Sequence, residues 1–145
     1  MTAVAIFVKT PDLSPIKTRL ASTIGTCLAE RWYRLAACAV AEVAQVAGIG
    51  PVFWAIAEHG AMAHPLWADK PRVVQGPGGL GLRMARVHKY LIERHGQAIL
   101  LGADTPQLQA SALQRAHDWL NSETPRQVLG PAEDGGFWLY GANRV

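Results

Sequence analysis

Charged residues are scarce. Asp, Glu, Lys and Arg make up 17% of the 145 residues, against roughly 25% in an ordinary domain. Half of the chain is apolar, which supplies a core and excludes wholesale disorder. Cysteine is scarcer still, with only Cys27 and Cys38, too few for a disulfide scaffold. Both fall on one expected helix, 11 residues apart, or about 16 Å at about 1.5 Å per residue. A bridge needs Cα atoms within roughly 7 Å, so the expectation is two buried free thiols in a reducing compartment. Long uninterrupted apolar runs are missing too. The stretch from Leu35 to Ala57 carries Glu42 and Gln45, then Gly48, Gly50 and Pro51, which divide it into a helix and a strand rather than a membrane span. The opening Met1-Thr2-Ala3-Val4 has no basic n-region of a secretory signal, so a soluble cytoplasmic chain is expected. His59, His64, His88, His95 and His117 show no zinc-like spacing with one another or with cysteine. Repeats, low-complexity tracts and linkers are lacking, and 145 residues suit a single domain.

The charge balance is mildly basic, with 14 Lys and Arg against 11 Asp and Glu. The basic residues are scattered, which suits an anionic small molecule better than a nucleic acid.

Alternation of two patterns sets the fold class. Ala3–Val8 is an apolar run of the kind buried on both faces of a parallel sheet. Leu28, Trp32, Leu35, Ala39, Val43 and Val46 recur at three- and four-residue steps and predict a long amphipathic helix, ended by Gly48 and Gly50. Further strands are expected at Val52–Ile56, Arg72–Gln75 and Ala98–Leu101. Helices are expected around Met84, Val87, His88 and Leu91, and around Leu113, Ala116, His117 and Leu120. Gln127–Leu129 and Phe137–Tyr140, joined by Glu133-Asp134-Gly135-Gly136, read as a closing antiparallel hairpin. The class is therefore α/β, with a mainly parallel sheet.

In such sheets ligands bind beyond the carboxyl ends of the strands. After the first strand come Lys9, Thr10 and Pro11, then Lys17, Thr18 and Arg19 near a helix start. Cations beside a helix N-terminus suit phosphate, although a solvated basic turn would look the same. After the third strand, Gly76-Pro77-Gly78-Gly79-Leu80-Gly81 matches G-x-G-x-x-G. Pro77 removes a backbone donor and the motif does not open the domain, so a dinucleotide site is the weaker reading. Asp104, after the fourth strand, suits a divalent cation held with substrate phosphates, or the cap of the next helix. Glu133 and Asp134 are acids or turn formers, and the glycines beside them permit close approach of a ligand. The five tryptophans read mainly as core; Trp138, beside the glycine pair, is placed to stack on a base or sugar.

Four segments in order carry a resemblance. They are Phe7-Val8-Lys9-Thr10-Pro11 with Ile16-Lys17-Thr18-Arg19-Leu20; Gln75-Gly76 with Leu80-Gly81 and Arg83-Met84; Leu101-Gly102-Ala103-Asp104-Thr105-Pro106; and Val128-Leu129-Gly130-Pro131-Ala132 with Asp134-Gly135-Gly136-Phe137. Together they resemble the GT-A-fold nucleotide-diphospho-sugar transferase-like proteins. That group includes glycosyltransferases of arsenosugar biosynthesis and radical-SAM- or selenodomain-associated transferases, and is distantly similar to phospholactate guanylyltransferase. The resemblance implies a three-layer GT-A sandwich and a metal-dependent transferase with a nucleotide-activated donor, foremost a nucleotide sugar. A nucleotidyltransferase and an inactive nucleotide-binding or dimerisation module are its alternatives. It implies Lys9, Lys17, Thr18, Arg19, Gln75 and Arg83 around the nucleotide, with Asp104 holding Mg²⁺ or Mn²⁺. Asp104 and Asp134 would be the catalytic acids, and Asp134 with Gly135, Gly136 and Trp138 would line the side of the sugar or small-molecule acceptor. A nucleotide sugar or NTP is the implied partner, with a homodimer as a further expectation. Three departures stand out. Ser14 replaces a loop glycine, Leu82 replaces an acid, and a Tyr-Asp-Val-Asp-Thr-like segment found further along in relatives has no counterpart here. The resemblance thus implies a single domain over residues 1–145 without the usual C-terminal segment.

Overall fold

The computed structural model describes all residues 1–145. Six strands form one sheet: β1 (Ala3–Val8), β2 (Val52–Ile56), β3 (Arg72–Val74), β4 (Ala98–Gly102), β5 (Gln127–Pro131) and β6 (Phe137–Ala142). Four helices accompany them: α1 (Thr18–Ile24), α2 (Thr26–Ala47), α3 (Leu80–His95) and α4 (Ala110–Leu120). Two single 3₁₀ turns, His59–Ala61 and Pro65–Trp67, follow β2.

The spatial order is β3-β2-β1-β4-β6-β5. β1, β2, β3 and β4 are parallel, whereas β6 runs antiparallel to both β4 and β5. The closing hairpin is present, but its second strand lies inside the sheet and β5 forms the edge. No helix is long and apolar enough to cross a membrane.

Strand alternation divides the core into two layers. Val4, Ile6 and Val8 of β1 face one side with Trp54, Ile56, Ile99 and Leu101. Ala3 and Ala5 face the other, with Ala55, Ala98 and Leu100. α2 and α4 cover the first side and α3 the second, which makes the three-layer sandwich. Each fully buried aliphatic side chain contributes about 1.5–3 kcal/mol, so the continuous run of β1 anchors both layers.

α2 corrects two expectations. Its buried face is Ala29, Tyr33, Ala36, Ala37, Val40, Ala41, Ala44 and Ala47, not the larger apolar residues of the periodic pattern. Leu28, Trp32, Leu35 and Val46 are exposed. The reason is volume: the strands beneath supply Ile, Val and Trp, and close packing against them leaves room mainly for methyl groups, with Tyr33 and Val40 the larger side chains admitted. Cys27 and Cys38 follow the same rotation and are exposed free thiols, not buried ones. Of the tryptophans, Trp54 and Trp67 are core, while Trp32 and Trp119 are exposed and Trp138 is half-buried.

Candidate functional site

β1 is flanked by β2 on one side and β4 on the other. The chain direction around the sheet reverses between β1 and β4, and crevices open at such switch points. Here a cleft of about 520 Å³ is lined by Lys9, Lys17, Tyr33, Gln75, Arg83 and Asp104, together with apolar and small residues including Phe7 and Leu80. Five of the six polar groups are residues the sequence singled out. They come from segments far apart in the chain and converge because β1, β3 and β4 are parallel and end together.

Lys17 precedes α1 in a left-handed conformation, φ 45° and ψ 54°, the sole non-glycine residue with positive φ. That turn aims its ammonium at Asp104, 3.1 Å from Oδ2. The same ammonium lies 5.4 Å from the centre of the Trp32 ring. Asp104 is therefore not the cap of α4: that helix begins at Ala110, with Gln109 in the cap position.

Lys9 is exposed just beyond β1, and its backbone N–H donates to the Tyr33 hydroxyl at 2.9 Å. Burial pushes the Tyr33 phenol up to about 12, so it stays protonated at neutral pH with its own O–H free to donate. Lys9 and Lys17 also line a wider groove of about 960 Å³ with Thr18, Arg19 and Trp32. The two hollows share Lys9, Pro15 and Lys17, so the cations form one continuous positive margin.

Gln75 is buried at the end of β3. Its Nε2 donates to the carbonyls of Ala55 at 2.9 Å and Val8 at 3.3 Å, which ties β1, β2 and β3 at the cleft floor. Its Oε1 accepts from Arg83 at 3.5 Å, and Arg83 also donates to the Gly78 carbonyl at 2.8 Å. Arg86 donates to the carbonyls of Gln75 and Pro77. A Cβ at Gly76, φ +81°, would lie 2.3 Å from the Arg86 guanidinium. The glycine-rich loop is thus moulded around two arginines, and its carbonyls face cations. That arrangement differs from a dinucleotide turn, whose N–H groups face phosphate.

The hairpin residues lie apart. Asp134 Oδ1 accepts from the Gly136 N–H at 2.9 Å, closing its own turn. Asp134, Gly135 and Gly136 line neither hollow. Trp138 lies across Gly130, where a Cβ would meet the indole at 2.5 Å. It lines a small apolar cavity of about 110 Å³ with Phe7, Leu80, Met84 and Phe137, which adjoins the main cleft through Phe7, Leu80 and Gly102.

Three groups escaped the sequence reading. Tyr33 was hidden inside the alanine face of α2, and Trp32 looked like core. Glu58 sits after β2, where no motif marks it. Its Oε1 accepts from the Thr10 N–H at 2.7 Å. Burial pushes its carboxyl up, but hydrogen bonding from Ser14 and Thr10 prevails and holds it below the ordinary glutamate value. Thr10 in turn accepts from Trp67 Nε1 at 2.9 Å. This brace fixes the loop between β1 and α1, and it uses the serine found where a glycine was expected.

A family profile described as "Uncharacterized protein conserved in bacteria" (DUF2064) matches residues 39–145. No curated protein matches the chain. Among solved structures, a protein of Desulfovibrio desulfuricans G20 assigned as a nucleotide-diphospho-sugar transferase superposes with a TM-score of 0.83 at 23% identity, over 98% of this chain and 63% of that one. A CMP:2-keto-3-deoxy-manno-octonic acid synthetase in complex with CTP superposes with a TM-score of 0.55 at 12% identity, over 99% of this chain and 74% of that one. The chain therefore spans 63% of the length of the first of these relatives. Both share its fold, which is the nucleotide-diphospho-sugar transferase type.

Proposed function

The chain belongs to the DUF2064 family, and from that premise we propose that it is a transferase using a nucleotide-activated donor, in the first instance a nucleotide sugar. The observation that carries this reading is the convergence of Lys9, Lys17, Gln75, Arg83 and Asp104 on one cleft at the strand ends. Donor phosphates meet Lys9, Lys17 and Arg19. The base or ribose extends toward Gln75, and the acceptor approaches from the side of Trp138, whose apolar cavity adjoins the cleft.

The donor set also bears on a metal. No three His, Cys, Asp or Glu side chains gather together, and Asp104 is the one carboxylate lining the cleft. One carboxylate fits Mg²⁺ or Mn²⁺ arriving with substrate phosphates, since Mg²⁺ uses one or two carboxylates plus phosphate oxygens. When bound, such an ion offsets charge developing on the departing phosphate. Asp104 would hold it, and Lys17 would turn from Asp104 to the phosphates. Lys9 and Arg19 add preorganised positive charge there. The Tyr33 hydroxyl, protonated at working pH, donates into the cleft. Gln75 positions Arg83 and keeps three strand ends in register.

The likeness to a CTP-bound synthetase favours a second reading, nucleotidyl transfer to a small acid. The narrower arsenosugar or radical-SAM association rests on the sequence motifs alone.

A thermal-shift panel tests the proposal, using UDP-, GDP- and dTDP-sugars, CTP and GTP, with and without Mn²⁺ or Mg²⁺. A ligand at about 100 times its Kd stabilises by about 2.7 kcal/mol. A metal-dependent shift followed by release of nucleoside diphosphate supports glycosyl transfer. Release of pyrophosphate supports nucleotidyl transfer. A panel without shifts refutes both.

A further inference from the structure

The outward face of α2 is exposed along Leu28, Leu35, Glu42 and Val46, and only Trp32 at its edge also lines the groove beside Lys9 and Lys17. Viewed down the helix at 100° per residue, Leu28, Leu35, Glu42 and Val46 centre that face, with Arg31, Cys38, Ala39 and Trp32 beside them. Leu28, Leu35 and Val46, at steps of seven and 11 residues that keep them on one face, are 54%, 64% and 71% exposed. Arg31 and Glu42 are exposed, and neither forms an ion pair; the chain's four pairs lie elsewhere.

We infer that this face pairs with the same face of a second copy, as an antiparallel two-fold α2–α2 interface. The spacing itself carries the argument. A two-fold placed at the level of Ala37 sets Leu28 opposite the partner's Val46 and Leu35 opposite the partner's Ala39. It also brings Arg31 within one residue's rise, about 1.5 Å, of the partner's Glu42. Arg31 and Glu42 lie on the same side of the Leu35 line, so the two-fold axis keeps them on the same flank. The contact is isologous, so every such pair occurs twice. A parallel pairing would instead leave Arg31 and the partner's Glu42 11 residues, or about 16 Å, apart along the axis, so the ion pair could not form. Ala39 at the centre lets the helices approach within the usual 8–10 Å. This interface does not depend on the nucleotide reading.

The test is sedimentation velocity on the full chain over a concentration series, with circular dichroism to confirm folding. The wild type is expected to dimerise. Leu35→Glu is expected to raise the dimer dissociation constant at least about tenfold without changing the spectrum. Val46→Glu acts the same way from the other end of the seam. Arg31→Glu weakens the dimer and Arg31→Glu combined with Glu42→Arg restores it. A monomeric wild type overturns the inference. So does a dimer indifferent to Leu35→Glu and Val46→Glu, or a double charge swap no better than the single one.

Discussion

Lys17 pits stability against function, and its magnitudes follow from the structure. The left-handed backbone at φ 45° costs a non-glycine residue about 1–2 kcal/mol. Its partner Asp104 returns little: the pair is 3.1 Å long with side chains 33% and 49% exposed, and such exposed pairs contribute about 0–1 kcal/mol. Lys17→Ala removes the ion pair and keeps the strain, so it loses about 0–1 kcal/mol. Lys17→Gly removes both, at an added unfolded-state entropy cost of about 0.4–1 kcal/mol. The glycine variant should therefore be about 0.5–1 kcal/mol more stable than the alanine variant. That corresponds to roughly 1–4 °C in Tm for a domain of this size. Both variants lose the ammonium. If it meets a phosphate, affinity for the nucleotide falls by about 1.5–3 kcal/mol, or about 10- to 150-fold. Thermal denaturation and isothermal titration with the nucleotide selected by the shift panel read the two effects separately. An alanine variant as stable as the glycine variant refutes the strain argument. Undiminished affinity in both removes Lys17 from the phosphate site.

Three further outcomes are expected. Asp104→Asn, at an exposed position, should keep the fold while abolishing the metal dependence of nucleotide binding; equal affinities with and without Mn²⁺ in the wild type would show that Asp104 holds no ion. Glu58 has a folded pKa below its ordinary 4.5, so its stabilisation is complete above that value and is lost as pH falls through the folded pKa. Glu58→Gln should flatten the acid limb of a Tm-against-pH curve, and an unchanged limb would show that the Thr10–Glu58 brace carries no pH-linked stability. Gly130→Ala forces a methyl group to within 2.5 Å of the Trp138 indole, and overpacking of this kind costs about 1–3 kcal/mol. A Tm equal to the wild type would mean that the ring moves freely aside, which near-ultraviolet circular dichroism would register.

The apolar runs Ala3–Val8 and Val52–Ile56 could be bounded to the residue from sequence, because a strand buried on both faces has nowhere to place a polar side chain. The third strand ends one residue before its pattern predicts, and the two hairpin strands run two residues beyond theirs. Strand ends depend on pairing partners, and the insertion of β6 between β4 and β5 extends both. Lys9, Lys17, Gln75, Arg83 and Asp104 could be named in advance because parallel strands deliver the residues after them to one end of the sheet. Their mutual geometry could not be named. The Lys17–Asp104 pair joins residues 87 apart, and the Gln75 bonds to Ala55 and Val8 span 20 and 67.

Local pattern decided which segments are strands and helices and which strand ends bear the clustered charged and polar residues, because periodicity and turn residues act over a few residues of chain. Tertiary structure decided which face of each element is inside. α2 shows why: its sequence has two apolar faces, one of alanines and one of larger residues, and hydrophobicity alone ranks the larger face as core. The sheet beneath already fills much of the space with Ile, Val and Trp, so the face that is mostly alanine, broken by Tyr33 and Val40, is the one that fits at native packing density. The leucines, Trp32 and both thiols turn outward as a result.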